Sequence, residues 1–125
     1  MTRDDFNAYC AAKRGTSHVV QWGGSDVWKV GGAAKGKVFA LCGWNEGRDA
    51  FTFKVSPMIF EVLGDAPGYR PAPYLASRGM SWLQVFEPGH VDVAELRQHI
   101  DVSYALVAAK LTKKLRAELG IEDEL

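Results

Sequence analysis

Four short runs rich in β-branched and aromatic residues follow one another with only glycine-rich turns between them: SHVVQW from residue 17, DVWKV from 26, KVFALCGW from 37 and AFTFKV from 50. The connections are Gly23-Gly24, a glycine-rich stretch over 31–36 and Asn45-Glu46-Gly47-Arg48-Asp49. None is long enough for the crossover helix that a parallel pair requires, so these runs are successive antiparallel strands. Phe51, Phe53 and Val55 alternate with Thr52 and Lys54, which gives the sheet one apolar side. Lys29 alternates in the same way with Trp28 and Val30, so Lys29 and Lys54 are expected on the face away from any packed helices.

Helical signals flank this block. Thr2 followed by Asp5 resembles a capping box, and Phe6, Tyr9, Cys10 and Lys13 recur at helical spacing, predicting a helix from about 3 to 14 that Gly15 ends. Ser56 and Pro57 start a second helix, predicted to turn Met58, Ile59, Val62 and Leu63 inward and to stop at Gly64. Residues 65–80 hold three of the five prolines and read as a long connection, with an extended piece near Pro73 to Ala76; SWLQVF then reads as a further strand. Asp92 with Glu95 predicts a short helix through about His99, and Asp101 is expected to cap a separate final helix. Helices grouped around an antiparallel sheet give an α+β fold, with the helices on one face.

A chain of 125 residues fits one domain, burying about two thirds of its unfolded surface. The domain is expected over 1–117, followed by an acidic tail over 118–125 with Glu118, Glu122, Asp123 and Glu124. Cys10 and Cys42 lie far apart among apolar neighbours and read as buried free thiols, which suits a cytoplasmic protein. The N-terminal residues contain acids and no apolar run of the kind that targets or spans a membrane.

Chemistry-bearing patterns are sparse. His18, His90 and His99 are scattered, no nucleophile or metal-ligand spacing occurs, and the glycine pairs lack the context of a phosphate loop. The expectation is a protein without catalytic residues, metal or other cofactor.

Acidic and basic side chains number 15 each, so the molecule as a whole exerts no long-range pull on a polyanion. Charge is nevertheless concentrated locally. In the ending SYALVAAKLTKKLR, residues 103–116, an apolar stripe of Tyr104, Val107, Ala108 and Leu111 continues to Leu115 and Leu119. Lys110, Lys113 and Lys114 fall at i, i+3 and i+4 on another side. Two readings are open: cations near a helix C-terminus gain about 0.3–1 kcal/mol each from the macrodipole, and the same patch suits phosphates. In PYLASRGMSWLQ, the residues Tyr74, Arg78 and Trp82 recur at intervals of four. They form a candidate stacking group for a base or phosphate, or else a cap on the edge of the core.

These segments carry a resemblance. SYALVAAKLTKKLR is similar to the C-terminal helix of the YjbR/MmcQ-like family, with its Ser-Tyr-x-Leu-Val-x-x-Lys-Leu-x-Lys-Lys-x-Arg pattern. DVWKVGG, KVFAL, FTFKVSP and YLASRGMSWLQV fall where that family has similar segments, from about residue 3 to 117. The resemblance implies a frataxin-like (CyaY-like) α+β architecture and the DNA-binding, double-wing description given to the family. On that basis Lys54, Arg78, Trp82, Lys110, Lys113 and Lys114 are the expected nucleic-acid contacts, with Lys29 and Tyr74 beside them. Where relatives often read Asn-Lys-Arg-His before Trp82, this chain has Ser77, Arg78, Gly79, Met80 and Ser81, which leaves fewer charges. Frataxin-like iron handling is not expected, because the first helix offers only Asp4 and Asp5 where a hard cation needs several converging oxygens.

The expected function is therefore non-enzymatic binding of DNA by a monomer, weak and salt-sensitive, through the basic patch. The alternative is a small-ligand or peptide module in which loop 65–80 closes over aromatics such as Trp28 and Trp82, recognisable by a deep apolar pocket beside that loop.

Overall fold

The computed structural model describes residues 1–32 and 34–121. It is an α+β fold built on one six-stranded antiparallel sheet. The four runs become β1 (Thr16–Gln21), β2 (Ser25–Val30), β3 (Lys37–Cys42) and β4 (Phe51–Lys54), each paired with the next. Two later strands, β5 (Tyr69–Pro71) and β6 (Trp82–Val85), complete the order β1-β2-β3-β4-β6-β5. The extended piece of the long connection is thus β5, earlier than Pro73. Residues 76–78 instead form a short 3-10 turn.

Register fixes what each face carries. Cys42, Phe51, Val85 and Tyr69 lie in one cross-strand row, and Ala40, Phe53 and Leu83 in the next. Both rows face the helices and form the core. An irregularity between Trp28 and Lys29 leaves Phe39 as an extra residue on β3 and lets it enter that core against Tyr104, ring centroids 5.4 Å apart. On the opposite face Leu41, Thr52, Gln84 and Arg70 form a row whose first three members are fully buried, although no helix covers them.

Helix α1 (Arg3–Ala11) begins with the capping box, Asp5 N–H donating to Thr2 Oγ1 and Thr2 N–H to Asp5 Oδ2. Helix α2 (Pro57–Leu63) starts on the Ser56 cap, but its burial differs from expectation: Met58 is 73% and Val62 63% exposed. A helix of seven residues presents only a narrow face, and here Phe60 and Leu63 occupy it, packed against the core.

The C-terminal region corrects a second expectation. No break occurs near His99 to Asp101; α3 runs unbroken over Val93–Ala108. The Asp101 carboxylate is engaged in tertiary contacts, accepting from Tyr9 Oη at 2.6 Å and Lys13 Nζ at 2.5 Å, so it caps nothing. Nor do Asp92 and Glu95 form a capping box, since Asp92 makes no side-chain cap bond and Glu95 receives the Tyr69 hydroxyl. The interruption falls at 109–112, and Thr112 caps α4 (Lys113–Leu119) by accepting from Leu115 N–H. Leu115 and Leu119 pack on the core and Ile121 is fully buried. Residues 122–125 of the expected acidic tail lie outside the described residues. Both cysteines are free and buried.

Candidate functional site

The eight residues read from sequence as a contact surface separate into groups. At one end of the sheet, Lys54 closes β4 in register with Trp82, which opens β6. Lys110 follows the end of α3, and these three residues line one cavity of about 480 Å³ with Met80, Ser81 and Leu106. Burial lowers the pKa of the Lys54 ammonium, and the neighbouring cations Lys110 and Lys37 lower it further. Among the described residues no carboxylate forms an ion pair with Lys37, Lys54, Lys110, Lys113 or Lys114. Lys37, Lys54 and Lys110 therefore form a local excess of positive charge inside a neutral molecule.

Lys113 and Lys114 are exposed in the first turn of α4, where the helix dipole opposes them. The expected stabilisation at a helix C-terminus is thus overturned, because the helix starts at Lys113 rather than running through it. Lys29 is half-buried on β2 opposite Ser17 and Val38, and it lines neither this cavity nor the one described next.

Tyr74 and Arg78 go elsewhere, and Trp82 does not join them. Trp82 is only 5% exposed, and its indole Nε1 has no hydrogen-bond partner among the described residues. The loop after β5 instead carries Tyr74 across the helix-free face to Trp44, with ring centroids 5.3 Å apart in an edge-on arrangement. Trp44 in turn meets Trp22 at 5.5 Å. The loop of the alternative reading therefore closes over Trp22 and Trp44 rather than over Trp28 and Trp82. Trp28 lies in the core under the helices, its ring tilted against that of His18 at 4.8 Å between centroids and its indole donating to Asn7 Oδ1.

All three clustered aromatics have left-handed backbone: φ is +53° at Trp22, +59° at Trp44 and +70° at Tyr74. Bulky side chains rarely adopt this region, at a cost of about 1–3 kcal/mol each. Trp22 and Tyr74 are still 51% and 69% exposed, so burial does not offset that cost.

A buried polar network holds this arrangement from below. Arg70 Nε donates to Gln84 Oε1 at 2.7 Å and Nη2 to Asn45 Oδ1 at 3.4 Å, with the guanidinium over the Phe86 ring. Gln84 Nε2 lies within 3.3–3.4 Å of the Gly43 and Trp44 carbonyls and of Thr52 Oγ1. Gly43 is needed where this loop departs, because a Cβ there would stand 2.1 Å from Ser25 Oγ. The result is a cavity of about 550 Å³ lined by Trp22, Trp44, Tyr74, Asn45, Arg48 and Arg70, among others. The same aromatics, with Leu75 and Arg78, line an adjoining cavity of about 490 Å³.

Trp22 and Trp44 are absent from any reading of the sequence as site residues because each follows a β run and counts as its last member. The usable signal is an aromatic in a turn, QWGG and GWNEG, where glycine, asparagine or aspartate is the usual choice.

A third polar group lies between α3 and the sheet. The Tyr69 hydroxyl donates to Glu95, and His99 Nε2 lies 2.9 Å from the same oxygen, with its ring stacked on Phe53. Because that hydroxyl hydrogen is directed at Glu95, His99 donates through Nε2–H. Among the described residues no three potential metal ligands cluster, and no helix is long and apolar enough to cross a membrane.

The sequence model of the YjbR family matches residues 11–106. The chain belongs to the YjbR family. The fold of this YjbR protein is similar to that of Deinococcus radiodurans protein DR2400, a DUF419 protein, with a TM-score of 0.86 and 29% identity over 99% of this chain and 91% of that one. A Pseudomonas syringae protein solved as a structural-genomics target shares the fold at TM-score 0.67 and 24% identity, over 86% of this chain and 99% of that one. No curated protein matches the sequence significantly. The segment matched by the YjbR model includes Trp22, Trp44, Tyr74 and Arg78, whereas Lys110, Lys113 and Lys114 lie beyond it.

Proposed function

We propose that this YjbR protein is a non-enzymatic binder of the DNA phosphate backbone, gripping it with Lys37, Lys54 and Lys110 and with the exposed Lys113 and Lys114 that open α4. The observation that carries the reading is the packing of Lys54 against Lys110 without a compensating carboxylate. Like charges held together in a half-buried site are stabilised by a polyanion, which favours the charged form of Lys54 and offsets the lowering of its pKa. With zero net charge there is no long-range steering, so affinity is modest and falls with salt by about 0.9 in the log–log slope per phosphate neutralised.

The test is a titration of labelled duplex DNA at low ionic strength with wild type and with Lys110→Glu/Lys113→Glu/Lys114→Glu. Binding that weakens at least tenfold in the triple variant, with a shallower salt slope, supports the proposal. Equal binding by both proteins, or none by wild type, sinks it.

A further inference from the structure

The aromatic cluster on the helix-free face has no part in the phosphate contact just described. It lies at the other end of the strands: β2 starts at Ser25 beside the cluster and ends at Val30, about 17 Å away at the usual rise per residue. Three chain segments converge there without any need of the core, namely the β1–β2 turn with Trp22, the β3–β4 loop with Trp44 and the segment after β5 with Tyr74. All three aromatics occupy strained backbone, and two present most of their ring to solvent. Such strain persists where function, rather than packing, selects the side chain.

The two halves of the hollow differ in chemistry. One half offers the exposed rings of Trp22 and Tyr74 with Leu75. The other offers Arg48 and Arg70 with Asn45. Arg70 is anchored through Nε and Nη2, which leaves Nη1 without a partner among the described residues, and Arg48 and Arg78 form no ion pair there. Arg3 does pair with Asp26 and Asp49, and among the described residues Glu46 is the only carboxylate lining the hollow, set against three guanidinium groups without an ion pair. This balance repels a cationic ligand, and the polar half is poorly suited to a purely apolar one. Flat rings stack on exposed Trp and Tyr, and guanidinium forks bind phosphate oxygens.

We infer that this hollow is a binding site for a nucleoside monophosphate unit, its base stacked on Trp22 and Tyr74 and its phosphate held by Arg48 and Arg70. A volume of about 550 Å³ lies within the usual range for small-ligand sites.

The experiment follows the indole N–H resonances of the four tryptophans by NMR while each of the four ribonucleoside 5′-monophosphates is added to the full chain. At least one monophosphate shifts Trp22 and Trp44 saturably, with Kd below about 1 mM, and leaves Trp28 and Trp82 in place. The matching nucleoside and ribose 5-phosphate each bind at least tenfold more weakly. Tyr74→Ala and Arg48→Glu, both at exposed positions, keep a dispersed spectrum and weaken binding at least fivefold. The Lys110→Glu/Lys113→Glu/Lys114→Glu protein binds the monophosphate as wild type does, so this site and the DNA contact stand or fall separately. The inference is overturned if no monophosphate moves Trp22 and Trp44, if ribose 5-phosphate binds as well as the nucleotide, or if Tyr74→Ala and Arg48→Glu bind normally.

Discussion

The Ser103 hydroxyl accepts the backbone N–H of Lys54 at 2.8 Å, which ties the middle of α3 to the last residue of β4. The same hydroxyl donates to the Phe39 carbonyl at 2.6 Å, so one fully buried oxygen joins the helix to two strands. Ser103→Ala leaves both backbone groups unsatisfied and is expected to destabilise the fold by about 2–3 kcal/mol, measured as a lower urea midpoint with an unchanged m-value. A loss under about 0.5 kcal/mol would show that the bridge contributes little.

Lys54 separates stability from binding. Its ammonium pKa lies below the ordinary 10.5, first because of burial and then because of Lys110 and Lys37. The unfolded chain therefore holds this proton more tightly, and stability rises with pH between the folded pKa and 10.5. Lys54→Met is expected to leave stability at pH 7 unchanged or raised by up to about 1 kcal/mol, while weakening duplex binding. Thermal melts and DNA titration of the same sample check both halves.

His99 sets an acid limit. Burial lowers its pKa below 6.5, opposed to a smaller extent by Glu95. The unfolded state takes up the proton first, so the contribution of neutral His99 is complete above about 6.5 and is lost as pH falls toward the folded pKa, at no more than about 1.4 kcal/mol per pH unit. His99→Gln cannot titrate and should flatten that part of the curve. Urea unfolding of both proteins from pH 7.5 to 5 measures the difference, and parallel curves would remove His99 as the cause.

Gln84 is the keystone of the helix-free face, with its amide shared among Arg70, Thr52 and two loop carbonyls. Gln84→Leu keeps the volume but strands these partners. A loss of about 2–3 kcal/mol is expected, with faster amide exchange at Asn45 to Arg48, and unchanged exchange there would show that the loop is held by other contacts.

Much of the fold was legible because its signals are local. The four hairpin-linked runs, the Thr2–Asp5 box, the Ser56–Pro57 start and the buried thiols each depend on residues a few positions apart. The position of the last helix break is not legible in the sequence, for the opposite reason. Asp101 has the side chain of a cap, but contacts with Tyr9 and Lys13, about ninety positions away, engage it, and Thr112 takes the capping role.

By itself the sequence determined the four hairpin-linked strands, their alternation and the apolar positions Tyr104, Val107 and Ala108 of the last long helix, because periodicity and turn chemistry act over short distances. Tertiary structure alone decided which segments meet. Strand order sent Lys54 and Trp82 to one end with Lys110, while Tyr74 crossed the sheet to Trp44 and Trp22. Spacing in the chain cannot encode such pairings, since they arise only when distant loops pack over the same buried face.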